Sequence, residues 1–225
     1  MDELVKQALA KWPNVPDCTG WLALDPRGRW RIGEATAGTR QTITNATMIA
    51  FINRNYFCDD IGRWLFQNGP QRVFVELEYT PFVWRLVPRG HDQWTLAAHT
   101  GFAAEPSTIW LDESGRFVVE AKAESNRLCV GVVHDHDTAL LADALCDANG
   151  KPLGDDAEAY ITALLSDSAD ATSLTLAWPT RPGTLAATSR AHFRIERIEA
   201  GQVASRFGFD PHPAATIKVD LDSRR

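Results

Sequence analysis

Four consecutive residues, His134-Asp135-His136-Asp137, form the densest cluster of ligand-capable side chains in the chain. On a strand end His134 and His136 point to the same side, because strand side chains alternate. Two imidazoles and an aspartate can hold zinc or another divalent ion, with water completing the shell. The competing reading is structural. Thr138-Ala139-Leu140-Leu141 follows, so Asp135 or Asp137 suits a helix cap and the histidines become surface loop residues. A second candidate is basic and aromatic: Arg63 and Arg72 flank the Gln67–Gln71 turn and could grip an anionic ligand, with Trp64 and Trp84 as rigid contact area. Six of the eight tryptophans fall within the first 94 residues, which would concentrate an aromatic binding surface there, although core packing explains most of them more simply. Glu76 and Glu78 share one strand face, either as an acid–base pair or as a solvated sheet surface.

The common catalytic signatures are absent from the sequence: no G-x-S-x-G elbow, H-E-x-x-H, phosphate-binding G-x-x-x-x-G-K-[ST] or G-x-G-x-x-G occurs. The first expectation is therefore a non-enzymatic protein that binds a small molecule or another protein in a regulatory role. The alternative is a metal-dependent hydrolase using His134 and His136. No residue pattern names a cofactor, a particular partner or an oligomeric state.

Composition narrows the field. With 225 residues and 44% hydrophobic content, the chain can build a substantial core. A net charge of -6 disfavours general nucleic-acid binding, despite the local run Arg27, Arg29, Arg31. The start, Met1-Asp2-Glu3-Leu4, lacks the basic and apolar regions of a secretory signal, and no stretch reaches the roughly 20 apolar residues of a membrane span. Cys18, Cys58, Cys129 and Cys146 are scattered and form no C-x-x-C pair. They read as buried thiols in a reducing cytoplasm.

The elements that would position these side chains are short. Apolar spacing predicts helices over 2–11, 45–58, 137–146 and 155–166, the second capped by Thr44 or Asn45. Alternation predicts a strand–turn–strand over 21–32 and strands around 64–66, 73–78, 82–87, 93–99, 108–111, 116–121, 127–133, 173–178 and 191–198. Residues 208–225 are weakly patterned. Four turns share Asp-x-x-Gly plus a basic residue: Asp25 to Arg29, Asp59 to Arg63, Asp112 to Arg116 and Asp147 to Lys151. Asp112 follows Asp25 by 87 residues and Asp147 follows Asp59 by 88. At these offsets Leu24 meets Leu111, Trp30 meets Phe117 and Cys58 meets Cys146. Such self-similarity predicts an α+β fold of two similar antiparallel, hairpin-rich units from an internal duplication, divided as 1–103 and 104–225, with a ligand cleft at their seam.

The runs Gly28-Arg29-Trp30, Phe51 to Tyr56, Gly62 to Val73 and Glu78 to Phe82 continue through Trp94-Thr95-Leu96 and His99-Thr100-Gly101. Together they resemble an uncharacterised conserved family of proteobacteria. They are also similar to another bacterial family of unknown function with a hairpin-helix-hairpin plan. The resemblance spans roughly residues 20–165. It implies a bacterial cytoplasmic origin and a two-unit fold, and it brings no residue-level activity.

Overall fold

The computed structural model describes residues 2–12, 14–34, 38, 40–88, 94–166, 173–179 and 190–213. These residues fold into mixed helices and strands in two compact units. The first comprises residues 1–25, 29–78 and 208–225; the second comprises 26–28 and 79–207.

The first unit opens with α1 (Glu3–Lys11) and carries β1 (Cys18–Leu24), β2 (Trp30–Ile32), β3 (Gln41–Thr42), α2 (Ala46–Arg54), β4 (Tyr56–Cys58), β5 (Trp64–Asn68) and β6 (Gln71–Leu77). Its six strands run in the order β3-β2-β1-β6-β5-β4. The pair β1–β6 is parallel and the other four pairs are antiparallel. Asn45 starts α2 because its side chain accepts the Met48 N–H at 3.0 Å, satisfying a donor the helix cannot. The helix stops at Arg54 and Tyr56 begins a strand, so the predicted helix over 45–58 is too long by its last turn. The buried Ile52 and the Phe51–Phe66 edge contact seat α2 on the sheet.

The second unit holds β7 (Phe82–Pro88), β8 (Trp94–Ala98), β9 (Ala103–Asp112), β10 (Phe117–Ala123), β11 (Leu128–Val133), α3 (Thr138–Ala142), β12 (Leu145–Cys146), α4 (Ala157–Leu165), β13 (Thr175–Pro179), β14 (Arg190–Ile198) and α5 (Val203–Phe207). Strands β7, β8, β9, β10 and β11 close into a barrel, because β10 pairs with both β9 and β11 while β11 pairs with β7. Strands β14, β13 and β12 continue outward from the far half of β9. The barrel is filled by Trp84, which is fully buried and donates its indole N–H to the Val119 carbonyl at 2.9 Å. Gly131 makes room for that ring: a Cβ there would lie 2.6 Å from Trp84 Nε1.

Two expectations need correction. The sheets are mixed rather than antiparallel, since β1–β6, β7–β11 and β9–β14 are parallel pairs. A parallel pair needs a long crossover, and here the crossover is built of intervening hairpins and short helices instead of one long helix. The division placed at 103/104 falls inside the start of β9, which pairs with β8 on one side, whereas the contacts divide the chain at Glu78 and Tyr79. Residues 214–225 of the weakly patterned stretch lie outside the described residues, as does Gln93 of the predicted strand 93–99. No helix among the described residues is long and apolar enough to cross a membrane.

Candidate functional site

The four Asp-x-x-Gly segments are all tight turns with one hydrogen-bond plan. In each, the aspartate Oδ1 accepts the backbone N–H of the basic residue four positions on, at 2.9 Å. The aspartate N–H returns to that residue's carbonyl, at 2.9 to 3.1 Å. At Asp25, Asp59 and Asp112 the arginine Nε also donates to Oδ2, at 2.6, 2.9 and 2.6 Å. An aspartate satisfies backbone donors and an arginine at once, which explains why this residue pair recurs at the strand ends.

This plan decides the fate of the basic candidates. Arg63 and Arg72 do converge, but on Asp59, with Nη2 atoms 2.8 and 3.1 Å from its Oδ2. Both guanidiniums also lie over the Phe74 ring, at 4.5 and 4.9 Å. Burial pushes Asp59 upward, yet the Arg63 backbone and side-chain hydrogen bonds outweigh it and hold the carboxyl below its usual range. Trp64 is buried against Tyr56, and Trp84 lies inside the barrel of the other unit. Truncating a buried tryptophan costs about 3–5 kcal/mol, so Trp84 is a core residue with no surface for an external ligand. Glu76 pairs with Arg40 at 2.7 Å, rather than with the exposed Glu78.

The histidine cluster is different. Residues Asp135–Asp137 form a 3-10 turn between β11 and α3. His134 caps it: Nδ1 accepts the His136 N–H at 3.1 Å. The aspartates expected to cap do other work. Asp137 is buried and takes Nε and Nη2 of Arg85, at 2.6 and 3.2 Å, plus the Leu86 N–H at 3.0 Å. Burial works upward on this carboxyl, but the Arg85 and Leu86 hydrogen bonds win and it stays below its usual range. Asp135 is exposed, with Oδ1 2.8 Å from His134 Nδ1 and Oδ2 2.5 Å from Arg27 Nη2.

His134 is buried and His136 exposed, with their rings 4.7 Å apart edge to face. Burial first, then the Arg85 charge, lowers the His134 imidazole below its ordinary value. One donor atom each from His134, Asp135 and His136 lies within 4.8 Å of the others. The structure therefore brings together the histidines singled out from sequence and, of the two aspartates in the run, groups Asp135 with them. Arg85 was not anticipated. Its only sequence signal is a charge at an outward position of an apolar strand.

A further buried cluster also escaped the sequence. Tyr79 donates its hydroxyl to Asp112 Oδ2 at 2.7 Å, and the Arg116 guanidinium covers its ring at 3.8 Å. Burial, then the hydrogen bond to the carboxylate, pushes the Tyr79 phenol above its usual value. The bond ties Tyr79, just before β7, to the end of β9. A cavity of about 250 Å³ lies along β8, β9 and the β10–β11 turn, lined in part by Thr95, Glu105, Lys122, Glu124 and Asn126. It includes none of the candidate residues above.

Mixed sheets, one of them closed, with a histidine-rich turn at a helix entry, define a protein of the α+β class. Residues 1–214 match DUF2944, described as protein of unknown function (DUF2946), and the chain belongs to that family. The resemblance to a family without an established activity is thus borne out. Two solved structures are similar. One is a DUF1285 family protein from Silicibacter pomeroyi DSS-3, 15% identical, with a TM-score of 0.41 over 65% of this chain and 86% of that one. The other is a DUF1285 family protein from Shewanella baltica OS155, 15% identical, with a TM-score of 0.37 over 63% of this chain and 98% of that one. No curated protein matches the chain.

Proposed function

We propose that this chain is a bacterial cytoplasmic binding or regulatory protein without catalytic activity, built from one module written twice, with its ligand-responsive point at the His134 corner of the second copy. The four cysteines, all among the described residues, form no disulfide, which supports a reducing compartment.

Strand order supports the duplication. The series β3-β2-β1-β6-β5-β4 corresponds to β11-β10-β9-β14-β13-β12, member by member. In each series the third and fourth members are parallel and the other four pairs antiparallel. A helix sits between the third and fourth strands of each copy in chain order. The second copy adds α4, and the β7–β8 hairpin precedes it and closes its barrel. An experimental structure tests the duplication: the two series should superpose with Asp25 on Asp112 and Asp59 on Asp147. A different register would count against it.

One contrast carries the functional reading. The capping residue and the two that follow it are Asn45-Ala46-Thr47 at one helix entry and His134-Asp135-His136 at the other. Asparagine is among the best helix caps and histidine is not. The second entry thus gives up cap quality for a group of donor side chains, beside Arg27 and Arg85. The test is thermal unfolding of the full chain with zinc, nickel, magnesium, inorganic phosphate or ATP, in wild type and in a double variant His134→Asn, His136→Thr. At least one probe should raise the Tm of wild type and leave the variant unmoved. Equal responses in both, or none, would overturn the reading.

A second reading is metal-dependent hydrolysis. Three protein donors leave coordination positions for water, as catalytic zinc sites do. Zinc-dependent cleavage of p-nitrophenyl phosphate that vanishes in His136→Ala would favour it. Binding without turnover favours the first reading.

A further inference from the structure

We infer that the His134 corner takes one divalent transition-metal ion through His134, Asp135 and His136, and that the ion enters by displacing Arg27 from Asp135. This deepens the functional reading above and rests on it. Two imidazoles and one carboxylate suit zinc, nickel or cobalt, whereas magnesium and calcium select oxygen donors. The three donor atoms already lie within 4.8 Å of one another. A shared ion at about 2.1 Å from each requires donors roughly 3–4 Å apart. Rotation of the exposed His136 and Asp135 closes that gap, while the buried His134 supplies the fixed point.

Asp135 decides the order of events. Its Oδ1 faces His134 and its Oδ2 faces Arg27, so a guanidinium now neutralises the carboxylate an ion would use. The Arg27 and Asp135 side chains are 52% and 47% exposed, and such solvent-facing pairs contribute little when intact. A divalent ion beside Asp135 repels the guanidinium and takes its role. Arg27 belongs to the tight turn Asp25 to Arg29, and the next residue, Gly28, packs so closely on His99 that a Cβ there would lie 2.9 Å from the His99 Cβ. Metal occupancy is therefore linked to the hold on residues 26–28, and by reciprocity a firm hold on that turn weakens the metal.

The test is calorimetric titration of zinc, nickel and magnesium chloride into tag-free, chelator-stripped full chain, comparing wild type with His136→Ala and Arg27→Ala. Zinc and nickel should bind at one site and magnesium should not. His136→Ala should weaken zinc at least tenfold, its fold checked by circular dichroism. Arg27→Ala should tighten zinc about three- to tenfold, because the competing cation is gone. Equal zinc affinity in wild type and His136→Ala overturns the site, and unchanged or weaker binding in Arg27→Ala overturns the displacement. If zinc fails to bind but phosphate or ATP still raises the Tm in a His134-dependent way, the metal is wrong and the binding reading survives. If no probe acts, both fall.

Discussion

Asp25 in the first unit and Asp112 in the second end their strands in the same way. Each takes the backbone N–H of the arginine four residues on at 2.9 Å, and that arginine's Nε at 2.6 Å. Asn45, which caps α2, and His134, which caps the turn leading into α3, share only the act of accepting one N–H. The difference teaches where a fold leaves room. A tight turn must satisfy several donors with one short side chain, so few residues serve. A helix entry needs one acceptor, and many residues can supply it while bringing new chemistry.

The largest effect that would sharpen this comparison is expected at Asp112. Its carboxylate is fully buried and also holds the Tyr79 hydroxyl. Asp112→Ala should cost about 3–5 kcal/mol in urea denaturation, as breaking a buried pair does. Asp25→Ala should cost about 1–3 kcal/mol, because Arg29 recovers water. Asp147→Ala, at the exposed turn, should cost least. Equal losses at all three positions would break the idea that solvent exposure of the aspartate and its partner grades the turns.

Next come the turn glycines. Gly62 and Gly115 have φ of +87° and +77°, so a side chain is strained at both. Gly115 is otherwise in open space, whereas a Cβ on Gly62 would lie 2.4 Å from the Gly208 carbonyl oxygen. Gly115→Ala should cost about 1–2 kcal/mol. Gly62→Ala should cost about 1–3 kcal/mol beyond that, since backbone must move. Similar denaturation midpoints for the two variants would show that the collision is relieved.

A smaller effect is expected from acid. The folded Asp59 carboxyl titrates below its unfolded value of about 3.9, so the unfolded chain takes the proton first. Its contribution is complete above that value and is lost as pH falls through the folded one. Stability of Asp59→Asn should therefore fall less between pH 6 and pH 3 than that of wild type. Parallel curves would show that Asp59 does not report this linkage. The smallest effect is expected at His134→Asn, which puts a strong capping residue at this turn: stability should stay within about 1 kcal/mol of wild type. A large loss would mean that His134 is needed for folding itself.

The turns were legible in the sequence because their chemistry is local: Asp, Gly and a basic residue within five positions dictate the hydrogen bonds. The histidine cluster was visible for the same reason, being contiguous. What stayed hidden depends on distant chain. Whether β1 pairs with β2 alone or also runs parallel to β6 is decided by residues some fifty positions away. Trp84 offers no sign of its burial beyond its type, because Gly131 makes its space from another strand. Asp137 resembled a cap until Arg85, on β7, claimed both of its oxygens.

The first unit is finished by a segment that comes after the whole second unit. Phe209 is buried, the Asp210 N–H bonds to the Gly62 carbonyl at 2.9 Å, and the Leu77 N–H bonds to the Pro211 carbonyl at 2.9 Å. Folding cannot therefore follow the order of synthesis. The Gly62 turn and the end of β6 emerge early, but their partners Asp210 and Pro211 lie 148 and 134 residues downstream, so the half made first is the half completed last.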